Sequence, residues 1–418
     1  MEHSIADWAN LHDSILVLIV EKLVPPHSNH VRICTVCKPW NLAISNNTNL
    51  LRKILKGRSP LLIIPSKGNS EERLGLYNVI EEKKYQMELQ LPFKTTSRAF
   101  CGSSHGWLAM FDAKSLAITL INPFTSDGLT LPPLLNYSSD FFINKVVLSD
   151  DPYLNPKEYF VIALVKADDH TQIAIIRQPG DIQSWTWINN PGDDKITDVI
   201  FRNGDIYAVD LLNNIISVKN FSSFDGTRNS AIKSEIIVPG SGRRPAIMKS
   251  YIVESSAGDI LVIRRIFRFD HCKKHYLTKN CKVYKLVQDG TEAKLVNVEG
   301  IRDDALFLGG NSSLSVAVTH NFPGCQPNCI YFTDDYNFNC FLGSESARLS
   351  KPHDMGRFKL KMNGTMKRFY DPDHSVYSDK LFPIWILPTL KDNHVKGGSG
   401  SIAVASTPSY SRQPQGSQ

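Results

Sequence analysis

A chain of 418 residues has room for one large domain and one small one, and its 42% hydrophobic and 21% charged content is an ordinary globular balance. A net charge of +6 over that length is too mild to mark a nucleic-acid binder, and eight cysteines are too sparse for a disulfide scaffold. No apolar run approaches the roughly 18 residues that span a bilayer, so the expected setting is a reducing compartment, cytoplasm or nucleus, with no membrane partner.

Residues 5–56 read as three short helices. In the first, Leu11, Ile15, Leu18, Ile19 and Leu23 follow helical spacing, and Pro25-Pro26 ends it. The second carries Ile33, Val36 and Cys37 at i, i+3 and i+4. The third opens at Pro39, whose missing N–H costs nothing at a first helical position, and holds Trp40, Leu42 and Ala43. A further turn or two over residues 50–55 leads to Gly57. The run from Ile15 to Val20 is apolar without interruption, so a helix there is greasy on every side and must be covered all round. A unit of about forty residues is too small to cover both faces of its own helix. One face is therefore expected to meet another protein. Glu2, Asp7 and Asp13 precede this run with no Lys or Arg, the reverse of an export signal.

After Pro60 the periodicity changes. Short runs rich in Val, Ile, Phe and Tyr are cut by Gly, Asn, Asp and Pro, the texture of strands and turns. Five strand–turn–strand units begin at Gly106, Tyr159, Ile196, Ser250 and Ala305, at intervals of about 40–55 residues, the period of propeller blades. Asn203-Gly204 and Gly258 supply the positive-φ positions that tight hairpins need. Residues 60–390 are expected to form an all-β propeller of about six to eight blades, with a pair of β-sandwiches as the alternative. The overall class is then α+β multidomain. Residues 391–418, with Gly-Gly-Ser-Gly-Ser and a Ser/Pro/Gln-rich end, read as a disordered tail.

Several constellations invite chemistry. Asp pairs stand at 150–151, 168–169, 193–194, 303–304 and 334–335. A propeller glycoside hydrolase would need two facing carboxylates. Neighbours on a strand point opposite ways, however, so these pairs are expected in solvated turns, bonding local amides. His271, Cys272, His275 and Cys281, and separately Cys325, Cys329 and Cys340, lack the paired Cys-x2-Cys knuckles of a zinc site. They read as loop histidines and buried thiols. Arg264, Arg265, Arg268, Lys273, Lys274, Lys279, Lys282 and Lys285 crowd one region among Phe267, Phe269 and Tyr276, with Asp270 as the only acid. The expected form is a hairpin with a solvated basic face, suited to an acidic protein partner as well as to RNA. No zincin, phosphate-loop or nucleophile-elbow motif is present, so neither a cofactor nor a catalytic residue is assigned.

The opening segment resembles an F-box, which has the form Leu-Pro, an apolar helix, then Val-Cys-Lys-x-Trp. The matching pieces are Asp7-Trp8 leading to Leu11, the helix from Ile15 to Leu23, and Val36-Cys37-Lys38-Pro39-Trp40. The rest resembles the KIB-type β-propellers that accompany F-boxes in plants. The resemblance rests on Ser103-Ser104-His105-Gly106-Trp107-Leu108, Asn122-Pro123-Phe124-Thr125, Leu131-Pro132-Pro133 and Asp198-Val199-Ile200-Phe201, then on residues 303–313, 322–336 and 382–390. It implies a non-catalytic substrate receptor of a cullin–RING ubiquitin ligase of the SCF type. The F-box would dock on a Skp-type adaptor, and through it on cullin and a RING protein, and the propeller would hold an unidentified protein target. Carried over by position, Leu11, His12, Ile15, Leu16, Ile19, Leu23, Val36, Cys37 and Trp40 would form or support the adaptor surface. The departure is His12, where the family pattern has Pro. It bears on adaptor affinity and keeps open a second reading, an interaction protein outside the ligase with a degenerate F-box. A nucleic-acid partner is not expected.

Overall fold

A computed structural model describes residues 8, 11–22, 37–45, 59–65, 73–80, 82–88, 98–124, 127–134, 141–167, 170–180, 184–188, 190–192, 194–219, 232–240, 248–272, 275–290, 292–318, 325–334, 354–360, 364–368 and 383–388. Two helices come first, α1 (Asp13–Lys22) and α2 (Lys38–Ser45). His12 caps α1. Its carbonyl accepts from Ile15 N at 2.9 Å and Leu16 N at 3.1 Å, while its Nδ1 faces Ser14 Oγ at 2.8 Å and the Ser14 backbone N–H at 3.4 Å. Asp13 in the first turn and Lys22 in the last complement the helix dipole. Pro39 sits in the first turn of α2, where no ladder bond is lost. Leu16 and Val20 interlock with Ala43 and Ile44, and Leu11, Val17 and Trp40 pack around them. Trp40 Nε1 donates to the Trp8 carbonyl at 2.7 Å. The expected middle helix around Ile33 and Val36, the turn over 50–55 and the tail 391–418 lie outside the described residues.

From Leu61 onward every described helix or strand is a strand. Blade one unites both ends of the domain: β1 (Leu61–Pro65), β2 (Arg73–Asn78) and β3 (Lys83–Glu88) are joined by the last strand, β25 (Ile384–Ile386), with Leu62 opposite Trp385. Blade two is β4 (Arg98–Ser104), β5 (Trp107–Asp112), β6 (Ala117–Ile121) and β7 (Gly128–Thr130). Blade three is β8 (Phe141–Leu148), β9 (Tyr159–Ala167), β10 (His170–Gln178) and β11 (Thr186–Ile188). Blade four is β12 (Ile196–Arg202), β13 (Asp205–Asp210), β14 (Ile215–Lys219) and β15 (Lys233–Val238). Blade five is β16 (Met248–Glu254), β17 (Ile260–Asp270), β18 (His275–Asp289) and β19 (Glu292–Val298). Blade six has five strands in the order β21 (Ser313–Ala317), β20 (Asp304–Leu308), β22 (Cys329–Phe332), β23 (Gly356–Lys359) and β24 (Thr365–Arg368).

Inner strands touch in sequence, β25 to β4, β4 to β8, β8 to β12, β12 to β16 and β16 to β21. Trp385 closes the ring, donating from Nε1 to the Leu308 carbonyl at 3.1 Å and packing edge-on against Phe307. Among the described residues the result is a propeller of six blades, the low end of the expected range. All five expected hairpins form.

Six apolar clusters fill the six spaces between blades. The period of two along each strand deals residues alternately to the two neighbours. On β9, Val161, Ala163 and Val165 face blade two, and Phe160, Ile162 and Leu164 face blade four. That is why these strands read as unbroken apolar runs. Asn203 (φ 51°) and Gly204 (φ 86°) make the tight turn between β12 and β13, and His105 (φ 51°) and Gly106 (φ 80°) repeat it between β4 and β5. At the centre β4 and β8 meet through one parallel pair, Gly102 opposite Val146. A Cβ on Gly102 would lie 2.4 Å from the Val146 carbonyl oxygen, so only glycine fits.

Candidate functional site

On α1 the apolar residues divide between two directions. Leu16 and Val20 turn inward and are 1% and 0% exposed. Ile15 and Leu18 turn outward and are 48% and 59% exposed, with Trp8 beside the helix pair at 63%. Leu11 and Ile19 are half-buried at the border. Of the residues expected at an adaptor surface, Ile15 is thus displayed, Leu16 serves the core beneath it, and His12 is exposed as the helix cap. Cys37 and Trp40 are half-buried at the start of α2. Leu23 falls outside the described residues, as does Val36. Leu18 belongs to the same exposed stripe as Ile15, and Trp8 is a further exposed apolar side chain near α2; neither was among the expected surface residues. The signal for Leu18 was its i+3 spacing from Ile15. Such a stripe can seat an amphipathic helix against an apolar groove, and fully covering an Ile or Leu side chain contributes about 1.5–3 kcal/mol.

In the propeller the informative groups are buried charges. Asp198, on β12, is saturated by four donors from four blades. Oδ1 takes the Lys145 ammonium from blade three and the Val199 N–H at 2.8 Å from blade four. Oδ2 takes the Ile252 N–H at 3.0 Å from blade five and the Ser313 hydroxyl at 2.8 Å from blade six. A carboxylate has about four lone-pair sites, and all are used. Bulges in β8 before Lys145 and in β12 before Asp198 place the two side chains for this contact.

Arg265 makes a second knot. Its guanidinium lies 2.9 Å from Asp354 Oδ2 and donates to Thr278 Oγ1 at 2.7 Å and the Thr333 carbonyl at 2.7 Å, with the Phe332 ring 4.2 Å away. Asp304, also buried, accepts from Ser256 N at 2.9 Å and Ser315 Oγ at 2.9 Å, pinning blade five to blade six. The basic face expected from the sequence is therefore corrected at one member: Arg265 is 0% exposed and serves the interior. Arg264 stacks over Tyr284, and Lys285 pairs with Asp259 at 2.8 Å. Arg268, Lys279 and Lys282 are exposed.

The Asp pairs behave in two ways. Asp150 and Asp194 bond nearby backbone amides, as expected of turns. Asp151 also bonds a local amide, that of Tyr153, but it is buried, as are Asp304 and Asp334, at 8%, 4% and 8% exposure, against the expectation of solvated turns. The carboxylates of Asp304 and Asp334 hold Ser256 and the Asp354 N–H, respectively. Among the described residues no group of three His, Cys, Asp or Glu side chains is arranged to hold a metal. Burial pushes the Cys281 and Cys325 thiols up to about 12.

Residues 76–359 match the KIB1-4 beta-propeller family. The F-box protein At4g35733 of Arabidopsis thaliana is 25% identical over 357 residues, spanning 81% of this chain and 92% of that protein. The putative F-box protein At1g65770 of the same plant is 24% identical over 356 residues, spanning 80% of this chain and 91% of its own. The F-box protein At3g56470 is 33% identical over 127 residues, 30% of this chain and 31% of that protein. The match to the propeller family covers well over half of the sequence, and this chain belongs to the KIB1-4 β-propeller family, as a relative of plant F-box proteins.

Proposed function

We propose that this protein is the substrate-recognition subunit of an SCF-type cullin–RING ubiquitin ligase. Residues 5–56 form a three-helix F-box that docks on a Skp-type adaptor, and the propeller holds the protein to be modified. The observation that carries the reading is the outward stripe of Ile15 and Leu18 on a helix whose other side is already packed on α2. Leu11, Ile19, Cys37 and Trp40 border or support that stripe, and Leu16 holds its underside; in this reading Leu23 and Val36 complete the adaptor surface. His12 begins the helix by capping it, the task that Pro performs in the family pattern by pre-setting the entering chain. The similarity to proteins named as F-box proteins supports the same reading.

The role is positional. The receptor holds a target beside a charged conjugating enzyme and raises its effective concentration, with no chemistry of its own. It works in the cytoplasm or nucleus. The test is co-elution of the purified chain with a plant Skp-type adaptor. The wild type is expected to form a complex, and Ile15→Asp with Leu18→Asp to form none while still folding. A well-folded wild type that never binds the adaptor would turn the reading toward an interaction protein outside the ligase.

A further inference from the structure

Strand β18 is the longest in the molecule's described part, and only half of its outer edge is used. It pairs with β17 from His275 to Lys285, but with β19 only from Val283 to Asp289. Toward its start the free side is closed by blade six, where Asp354 accepts the Thr278 N–H at 2.7 Å. Between these two coverings, residues 279–282 have no strand partner on their outer side among the described residues. The Cys281 N–H there is met by the side chain of its own neighbour, Asn280 Oδ1, at 2.8 Å. A local side-chain bond is standing in for a ladder bond.

This bare stretch forms one wall of an open groove of about 830 Å³ between blades five and six. Phe358, Leu360 and Gly364 form the facing wall, and Asn297 and Glu299 close one end. Phe358 and Leu360 are buried within the packing between the two blades, so that wall is fixed. Lys279 and Lys282 line the groove and are exposed, and neither makes an ion pair among the described residues. Glu299 is the single acid among the described lining residues. Arg268, also exposed, continues the basic side along β17.

We propose that this groove is a docking site for an extended acidic peptide segment of a partner protein, which adds a strand to β18 at residues 279–282. An unpaired strand edge is a template for a further strand, with main-chain bonds giving affinity and flanking side chains selecting the partner. Phe358 and Leu360 receive the apolar side chains on one face of the incoming segment, and Lys279 and Lys282 select for carboxylates. Under the ligase reading this is where the target would be held, and to that extent it rests on that reading. The binding itself does not require an adaptor and is measured without one.

The experiment is fluorescence anisotropy of the full chain with three labelled ten-residue probes: alternating Val and Glu, alternating Val and Lys, and alternating Pro and Glu. The Val/Glu probe is expected to bind at least about tenfold more tightly than either of the others. Proline lacks the N–H that a ladder requires, so the Pro/Glu probe separates strand addition from simple charge attraction. The double variant Lys279→Glu, Lys282→Glu changes two exposed side chains and is expected to keep the wild-type thermal unfolding while weakening the Val/Glu probe at least about tenfold. Equal binding of the Val/Lys probe, undiminished binding of the Pro/Glu probe, an unaffected double variant or no binding of Val/Glu each overturns the proposal. Adaptor co-elution of the same double variant is read alongside, so that loss of this site and failure of the helix face are told apart.

Discussion

At the centre of the propeller, Lys145 and Asp198 meet with side chains 4% and 3% exposed. On α1, Ile15 and Leu18 stand 48% and 59% exposed. One region conceals charge and the other displays hydrocarbon, each the reverse of the usual preference. The buried charges have every partner they need inside the chain, because four blades supply donors to one carboxylate. The exposed hydrocarbon has none within the described residues. The first arrangement is accounted for by the fold. The second is what the proposed adaptor contact would account for.

The comparison can be broken from the propeller side first. Asp198→Ala strands the Lys145 ammonium in the interior and leaves the Ile252 N–H and Ser313 hydroxyl unmet, at a cost of about 3–5 kcal/mol in urea unfolding. Adding Lys145→Met should lower that loss, since a buried pair removed together costs less than one charge left alone. A double variant no better than the single one would show that the ion pair is not the knot described here. On the helix pair, Leu16→Ala should cost about 2–5 kcal/mol and Ile15→Ala less than about 0.5, although the residues are neighbours of the same class. Equal losses would mean that the two faces of α1 are not distinct. Gly102→Ala sets a methyl against the Val146 carbonyl and should cost about 1–3 kcal/mol, read as a lowered melting temperature. The smallest effect concerns reactivity. With the Cys281 and Cys325 thiols raised to about 12 by burial, both stay protonated at pH 8 in the folded protein. Peptide mapping after alkylation should find exposed Cys272 modified first, and Cys281 and Cys325 only as urea opens the blades.

Local features of the propeller were legible in the sequence. Asn203-Gly204 and Gly258 announce their turns because few other residues accept a positive φ there. The five hairpins follow from runs of branched and aromatic residues between such turns. Long-range closure was not legible. Leu61 and Ile386 pair across nearly the whole domain, and no local pattern selects that partner. Asp198 lies within one of the stretches on which the resemblance was read, yet its donors come from 53, 54 and 115 residues away, so its role emerges only in three dimensions. Charge counting groups Arg265 with the basic face, and the fold buries it. Its setting between Ile263 and Phe267 on a strand was the available sign that it faces inward. For the helix face, the sequence indicated a surplus of apolar side chains but not how they divide. The packing of Leu16 and Val20 on Ala43 and Ile44 decides that Ile15 and Leu18 face outward.

The most direct measurement is the affinity of a plant Skp-type adaptor for the wild-type chain and for Ile15→Asp with Leu18→Asp, by calorimetry, with thermal unfolding recorded on both. A partner-facing stripe requires that the wild type binds and that the variant loses binding with its unfolding unchanged. Retained binding by the variant would show that the adaptor does not use this stripe, and a collapse of its fold would show that these side chains serve the protein's own interior and not a partner.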